Sequence, residues 1–412
     1  MQIQDKTSHQ NAAPRGVFAW ALYDFANTVF SMNIISRYFP LWVTQGHSAP
    51  DIYFSATLSI SMLLVAVTSP ALGAMSDTTG RRLGPLMWLT GACAAATALI
   101  GPVDSLLTGL ILFAAANFCY QSAMTFYYGL LPSVSEGSSA SRVAGYGVSL
   151  GYLGAIAALA MAMPVESVFG NGAVYPATAL MYLAFSIPMF RLLRDPAPVA
   201  GARVDIIGAF RTLARTFAGA RRNRSVFIFL GANFLILDAV HTVIAFMAIY
   251  ASSVVGFESG ELNIFLMTST VGAAGGSLLW GWAAHRWSPL RTFGWVCGMW
   301  LFTMLLASVS VNKDMFWMVG PLAGAALGGV WVAGRSALAQ MAPADRIGEY
   351  FGLYNMAGKA AAIVGPMTWG AVVYIFSPLG GTIPHRMAIL SLAVFIAAGW
   401  RALRHIEYAG AK

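Results

Sequence analysis

Apolar runs of about 20 residues or more recur along the chain between short polar segments, each long enough as a helix to cross a ~30 Å hydrocarbon layer. They place spans at 16–44, 52–76, 83–101, 105–131, 141–164, 173–194, 225–252, 260–285, 290–310, 315–341, 346–376 and 384–406. The pattern predicts an all-α membrane protein of twelve transmembrane helices. A polar stretch from Arg191 to Arg224, with eight arginines plus Pro196 and Pro198, divides the spans six and six. The domain reading is therefore an N-terminal six-helix half (1–194), a basic cytoplasmic linker (195–224) and a C-terminal six-helix half (225–412). Within the linker a short amphipathic helix is expected around Asp205 to Ala218, with the segment held to anionic lipid headgroups.

Composition agrees. Hydrophobic residues make up 58%, charged residues 10%, and mean hydropathy is +0.67; soluble domains carry about 25% charged residues. Met1 to Pro14 is polar and the first apolar run is too long for a signal h-region, so no cleavable signal is expected. Cys93, Cys119 and Cys297 sit in apolar runs without a paired spacing and read as buried free thiols.

Charge then sets the topology. Of 24 Lys and Arg, 19 fall in one alternating set of loops and termini, two (Lys313 and Arg386) in the other, and Arg37, Arg335 and Lys359 within spans. By the positive-inside rule both termini are cytoplasmic. The net charge of +8 is mostly this signal, and nucleic-acid binding is not indicated.

The few polar groups inside the spans carry the chemistry. The first span holds Trp20 to Phe30, WALYDFANTVF, with Asp24 about 12 Å along the helix and Asn27 one turn on. An acid at that depth is costly unless paired or hydrated. Arg37 lies ~20 Å beyond Asp24 and is expected to snorkel to the outer interface. Asn117, Gln121, Phe126, Tyr127 and Tyr128 of the fourth span suit a cavity wall. Glycines 145, 147, 151 and 154 of the fifth give a close-packing face. The seventh span repeats the first: Asp238-x-x-His241-Thr242 echoes Asp24-x-x-Asn27-Thr28. Lys359, about midway along the eleventh span with Asn355 one turn before it, must face a cavity or an acid. Arg335 of the tenth suits a carboxylate ligand or a gate. Lys359 or Arg335 for a carboxylate and Asp24 or Asp238 for an amine suit a zwitterion. Either acid, with His241 beside Asp238, equally suits a coupling proton. A structural Lys359–Asp238 or Lys359–Asp24 pair remains the alternative. The sequence holds no nucleotide loop, metal-ligand cluster or nucleophile–base set, so no catalysis, cofactor or metal is expected.

Between the second and third spans lies Gly73 to Arg82, GAMSDTTGRR. Gly73 is expected to admit a neighbouring backbone, Gly80 to turn the helix end, Asp77 to face a helix N-terminus, and Arg81 and Arg82 to hold the loop inside. The stretch resembles the helix 2–3 loop of the major facilitator superfamily. Gly281 to Arg291 resembles a decayed copy with His285 at the acid position. Gly334-Arg335-Ser336, the Pro343 turn, Glu349-Tyr350-Phe351-Gly352 with Tyr354, Gly358-Lys359 and Gly365-Pro366 resemble the vacuole-effluxer-like family. WALYDFANTVF and Asp238-Ala-Val-His-Thr are similar to its first and seventh helices. Eukaryotic members of that family are autophagy-linked vacuolar amino-acid exporters, and the short loops fit a bacterial inner-membrane member.

The resemblance implies two pseudo-symmetric halves that alternate access around a midplane site. It implies a secondary transporter for an amino-acid or peptide-like solute, with protons as a candidate coupling ion and membrane lipids around a monomer. Asp77 and Glu349 would act as an access latch. The fourth span lacks the membrane-embedded arginine of many drug antiporters in the superfamily, which counts against that activity. Import of a siderophore-like nutrient, or a non-transporting assembly or lipid-handling role, are the alternatives.

Overall fold

The computed structural model describes residues 6–135, 140–195, 205–342 and 347–406; within these, the side chains of residues 6–14, 77, 140–141, 209, 212, 222 and 347–349 lie outside the description. The main helices are α1 (Lys6–Phe30), α2 (Asp51–Thr79), α3 (Leu83–Ile100), α4 (Leu106–Gly129), α5 (Ala140–Phe169) and α6 (Asn171–Leu192). They continue as α7 (Ile206–Arg222), α8 (Arg224–Tyr250), α9 (Ser259–Arg286), α10 (Pro289–Val309), α11 (Val319–Met341), α12 (Ile347–Phe376) and α13 (Ile383–Leu403). Eleven segments among the described residues are long and apolar enough to cross a membrane. α1 runs on through π-helical turns at Ser31–Tyr38 and Trp42–Gly46. α7 is the helix expected in the linker, capped by Asp205, whose Oδ1 accepts from Gly208 N at 2.7 Å.

The widened turns after α1 have a local cause. Pro40 lacks the N–H that would bond Ser36, and its ring excludes that carbonyl. Ahead of it, Phe39 N–H reaches back to the Ile34 carbonyl, five residues away. The wide turn changes the fate of Arg37. It does not snorkel: only 3% of it is exposed. Its guanidinium lies 4.6 Å from the Tyr38 ring centroid and within electrostatic reach of Glu166 and Tyr175. Tyr38 in turn donates to Glu166 Oε2 at 2.9 Å. An acid from α5 and an aromatic face satisfy the cation inside the protein.

The described residues form two compact units. One takes in the chain up to Phe39 and Val67–Phe210; the other takes in Pro40–Ala66 and the chain from Arg211 on. In the first, α1 packs on α5 and α6, and α3 on α4 and α6. In the second, the helices seven places later repeat the scheme: α8 packs on α12 and α13, and α10 on α11 and α13. These four shared pairings are the structural form of the repeat seen in sequence.

Small residues set the helix separations. On α5, a Cβ at Gly147 would meet the Asp24 carboxylate and the Trp20 ring at 2.9 Å, one at Gly151 would meet Thr28 at 3.0 Å, and one at Gly154 would meet the Phe25 backbone. Gly145, on the other side of the helix, faces open space. Cys93 and Cys297 are buried and Cys119 half-buried, all as free thiols.

Candidate functional site

The GAMSDTTGRR loop holds its turn by backbone geometry. Gly80 ends α2 at φ 65°, and Arg81 N–H bonds the Thr79 hydroxyl at 3.2 Å. The N-terminus of α3 is capped from a distance: Asp195 Oδ1 accepts from Arg82 N at 2.9 Å and Leu83 N at 2.8 Å. An acid from the start of the linker therefore meets the positive helix end, and no spacing in the sequence announces it. Arg82 Nε donates to Ser76 Oγ at 3.2 Å, while Arg81 is exposed. Gly73 is not where a backbone comes close; a Cβ there would meet nothing within 4 Å. The tight place is Gly129 of α4, where a Cβ would meet Ser76 at 3.1 Å and Arg82 at 3.2 Å. Asp77 lies in the last turn of α2 and Glu349 in the first turn of α12; the latch assigned to them rests on side chains outside the description.

In the first unit Asp24 is half-buried over Gly147, within electrostatic reach of Tyr120 and Tyr127. Asn27, one turn on along α1, has a partner of its own. It is buried and accepts from Tyr182 at 3.4 Å, while Tyr23 bonds Thr90 at 2.7 Å and Tyr182 at 3.3 Å. Asn27 thus belongs to a polar network that ties α1, α3 and α6. The fourth-span wall also divides. Phe126 and Tyr127 are core residues, the latter stacked on Trp20 at 4.5 Å and exchanging bonds with that residue. Tyr128 is exposed.

In the second unit a broken helix meets a buried acid. Pro366 interrupts α12 at Ala362, four residues back, which takes a non-helical ψ of 18°. The proline ring excludes the carbonyl at that position. Nearby, Gly365 N–H donates to Asp238 Oδ1 of α8 at 2.7 Å. Only glycine fits there, since a Cβ would meet Thr242 Oγ1 and, at 2.8 Å, the Asp238 carbonyl. Asp238 is 0% exposed and its Oδ2 takes no hydrogen bond from the described residues. A buried carboxylate with one satisfied and one available oxygen is poised to take a proton or a cationic group.

The basic residues expected from sequence lie on α8, α11 and α12 of the same unit. His241, one turn along α8 with Nδ1 unbonded, lies 5.7 Å from the Trp331 ring. The Arg335 guanidinium lies 5.7 Å from the centroid of the same Trp331 ring, so Trp331 of α11 stands between the histidine and an exposed arginine. Lys359 of α12 is half-buried and Asn355 exposed. Lys359 is not among the partners of Asp238. Trp331 and Asn233 went unmarked in the sequence, and Tyr354 was marked only for the family resemblance. Asn233 is fully buried with neither amide atom bonded, and the Tyr354 hydroxyl is likewise unbonded. Both meet at Gly334, where a Cβ would lie 2.9 Å from the hydroxyl and 3.6 Å from Asn233 Oδ1. No group of three or more metal-ligating side chains occurs among the described residues.

The unit also includes the first half of α2. Trp369 Nε1 donates to Asp51 Oδ2 at 2.9 Å, and Ser59 Oγ to the Ile363 carbonyl at 2.8 Å. His385 Nε2 stands 3.3 Å from Asp51, close enough for an ion pair but outside hydrogen-bond geometry.

This geometry sits on a chain whose residues 51–407 match the sequence profile of the family described as vacuole effluxer Atg22 like. The chain belongs to that family. It is 26% identical over 401 residues to the uncharacterized MFS-type transporter YxiO of Bacillus subtilis, covering 92% of each chain. It is 24% identical over 263 residues to autophagy-related protein 22 of Coccidioides immitis, covering 56% of this chain and 44% of the fungal one. Among solved structures, the nucleoside transporter NupG superposes with a TM-score of 0.71 at 15% identity, over 97% of this chain and 100% of NupG. A bacterial homologue of the human lysosomal transporter Spinster gives 0.69 at 14%, over 98% and 99%. The fold is that of the major facilitator superfamily. This Atg22-like protein is thus a multi-pass integral membrane transporter of that type.

Proposed function

We propose that this Atg22-like transporter is a secondary active carrier of a small polar or zwitterionic solute, amino-acid or peptide-like, working by alternating access. The reading is carried by one observation: the Asp238 carboxylate at the break in α12, one oxygen held by Gly365 N–H and the other available. Broken helices that turn backbone groups toward a midplane site are how this class of carrier builds its binding centre. Asp238 takes the amine or the coupling proton. Lys359 or Arg335, the latter resting on Trp331, takes the carboxylate. Asp24 and Asn27 are the corresponding groups of the other repeat.

The distribution of Lys and Arg supports cytoplasmic termini and, with the short loops, a bacterial inner-membrane location. A cysteine introduced at Thr79 is then labelled by an impermeant reagent from the cytoplasmic face only; labelling from outside intact cells overturns that placement.

The function is tested by flux into proteoliposomes, screened over amino acids, short peptides and metal chelates with and without a pH gradient. Saturable movement of an amino acid or peptide that fails in Asp238→Asn supports the reading. Flux of a metal chelate alone, or no dependence on Asp238, overturns it.

A further inference from the structure

We infer that α7, the linker helix, is a docking surface for anionic phospholipid, lying in the membrane interface beside the start of α8. Its residues sort into three strips. Ile206, Phe210, Leu213 and Phe217 recur at the spacing of one helix face. Ile207 and Phe217 are 66% and 52% exposed, and Ile206 and Phe210 are also exposed. Arg211 and Arg215, one turn apart, form an exposed basic strip on the side of the helix beyond Ile207, and Arg221 is exposed near its end. Thr216 and Ala220 are buried, so the third strip rests on protein.

The depth of the helix follows from its joint to α8. A single residue, Asn223, separates the two helices and caps the second, its Oδ1 accepting from Val226 N at 3.3 Å. The end of α7 is thus held at the level where the α8 span begins. Phe217 packs edge-on against Phe227 with ring centroids 5.8 Å apart, and Phe227 is itself exposed near the start of that span. The apolar face of α7 therefore continues the apolar surface of a transmembrane helix. An apolar face with arginines along its edge matches hydrocarbon beside anionic headgroups. Each basic side chain close to such a surface strengthens attraction about fivefold. A soluble acidic partner would match the arginines but leave the phenylalanines uncovered.

The test uses the full chain with its three cysteines replaced by serine, in vesicles of phosphatidylcholine with or without phosphatidylglycerol. A spin label at Phe210→Cys is expected to collide with oxygen and be shielded from a water-soluble nickel chelate. A label at Arg215→Cys is expected to meet the chelate. Phosphatidylglycerol should deepen the Phe210 label, a readout that changes no charge and needs no transport. In detergent, the purified protein should retain phosphatidylglycerol over phosphatidylcholine, and Arg211→Gln/Arg215→Gln/Arg221→Gln should lose that preference severalfold while staying monodisperse. Equal chelate access at both labels overturns the proposal, as does unchanged lipid retention in the triple variant. Shielding of the Phe210 label from both quenchers means that a second copy or another protein covers the face, and overturns it as well.

Discussion

α1 and α8 carry the same short motif, an aspartate followed four residues later by a threonine, and fold it the same way. Thr28 Oγ1 closes on the Asp24 carbonyl at 2.9 Å, and Thr242 Oγ1 on the Asp238 carbonyl at 2.7 Å. Both acids also lie against a glycine of the helix they pack on, Gly147 of α5 and Gly365 of α12. The difference lies in that partner helix. α5 keeps its ladder at the contact, and Asp24 remains half-buried among aromatic rings. α12 breaks at Ala362, and the Gly365 N–H nearby donates to Asp238, which is wholly buried. Local conformation is a property of the motif; the electrostatic role of the acid is decided by the neighbour's backbone.

The comparison is broken most directly by neutralising the acids and the deep cation. Asp238→Asn and Lys359→Met are each expected to abolish flux with the protein still monodisperse, and Asp24→Asn to impair it to a similar degree. Because Lys359 is not a partner of Asp238, the double variant Asp238→Asn/Lys359→Met is expected to stay inactive. Recovered flux in the double variant would mean the two charges only neutralise each other.

Gly365→Val tests the close approach itself. It drives side-chain atoms into Thr242 and the Asp238 backbone and is expected to cost about 1–3 kcal/mol, as overpacking does. Thermal denaturation in detergent reads this as a lowered Tm; an unchanged Tm would mean α8 and α12 are not in contact there.

Pro366→Ala sharpens the comparison by making α12 resemble α5. With the carbonyl of Ala362 again bonded, Gly365 N–H is expected to bond within the ladder and leave Asp238. The net loss at the carboxylate is about 1.5–3 kcal/mol, that of a charged hydrogen bond. Flux should fall with little change in Tm, and wild-type flux would separate the break from function.

The smallest effects are on α5. Gly147→Ala is expected to displace Asp24 or Trp20 at a cost of about 1 kcal/mol. Gly145→Ala faces open space and should stay within ±0.5 kcal/mol. Equal Tm values for the two variants would remove α5 as the surface on which α1 rests.

Sequence alone determined the spans, because a helix is the one open-ended segment that satisfies its own backbone in lipid, and an apolar run of sufficient length announces it. It also determined the repeat, since Asp24 and Asp238 stand at the same place in a recurring pattern. Gly80 was legible too, a glycine at a helix end where φ turns positive. What only the tertiary structure decided are the partners. Arg37 is expected at an interface from its position near the end of a span, yet Tyr38 and Glu166 take it inside. Asn27, one turn from Asp24, accepts from Tyr182 on α6. Asp195 caps a helix 112 residues before it, and Trp369 bonds Asp51 across 318 residues. Spacing along one helix fixes which side chains share a face. Which of them meets an acid, an aromatic ring or a backbone N–H depends on the helix packed against that face, and no local pattern encodes that choice.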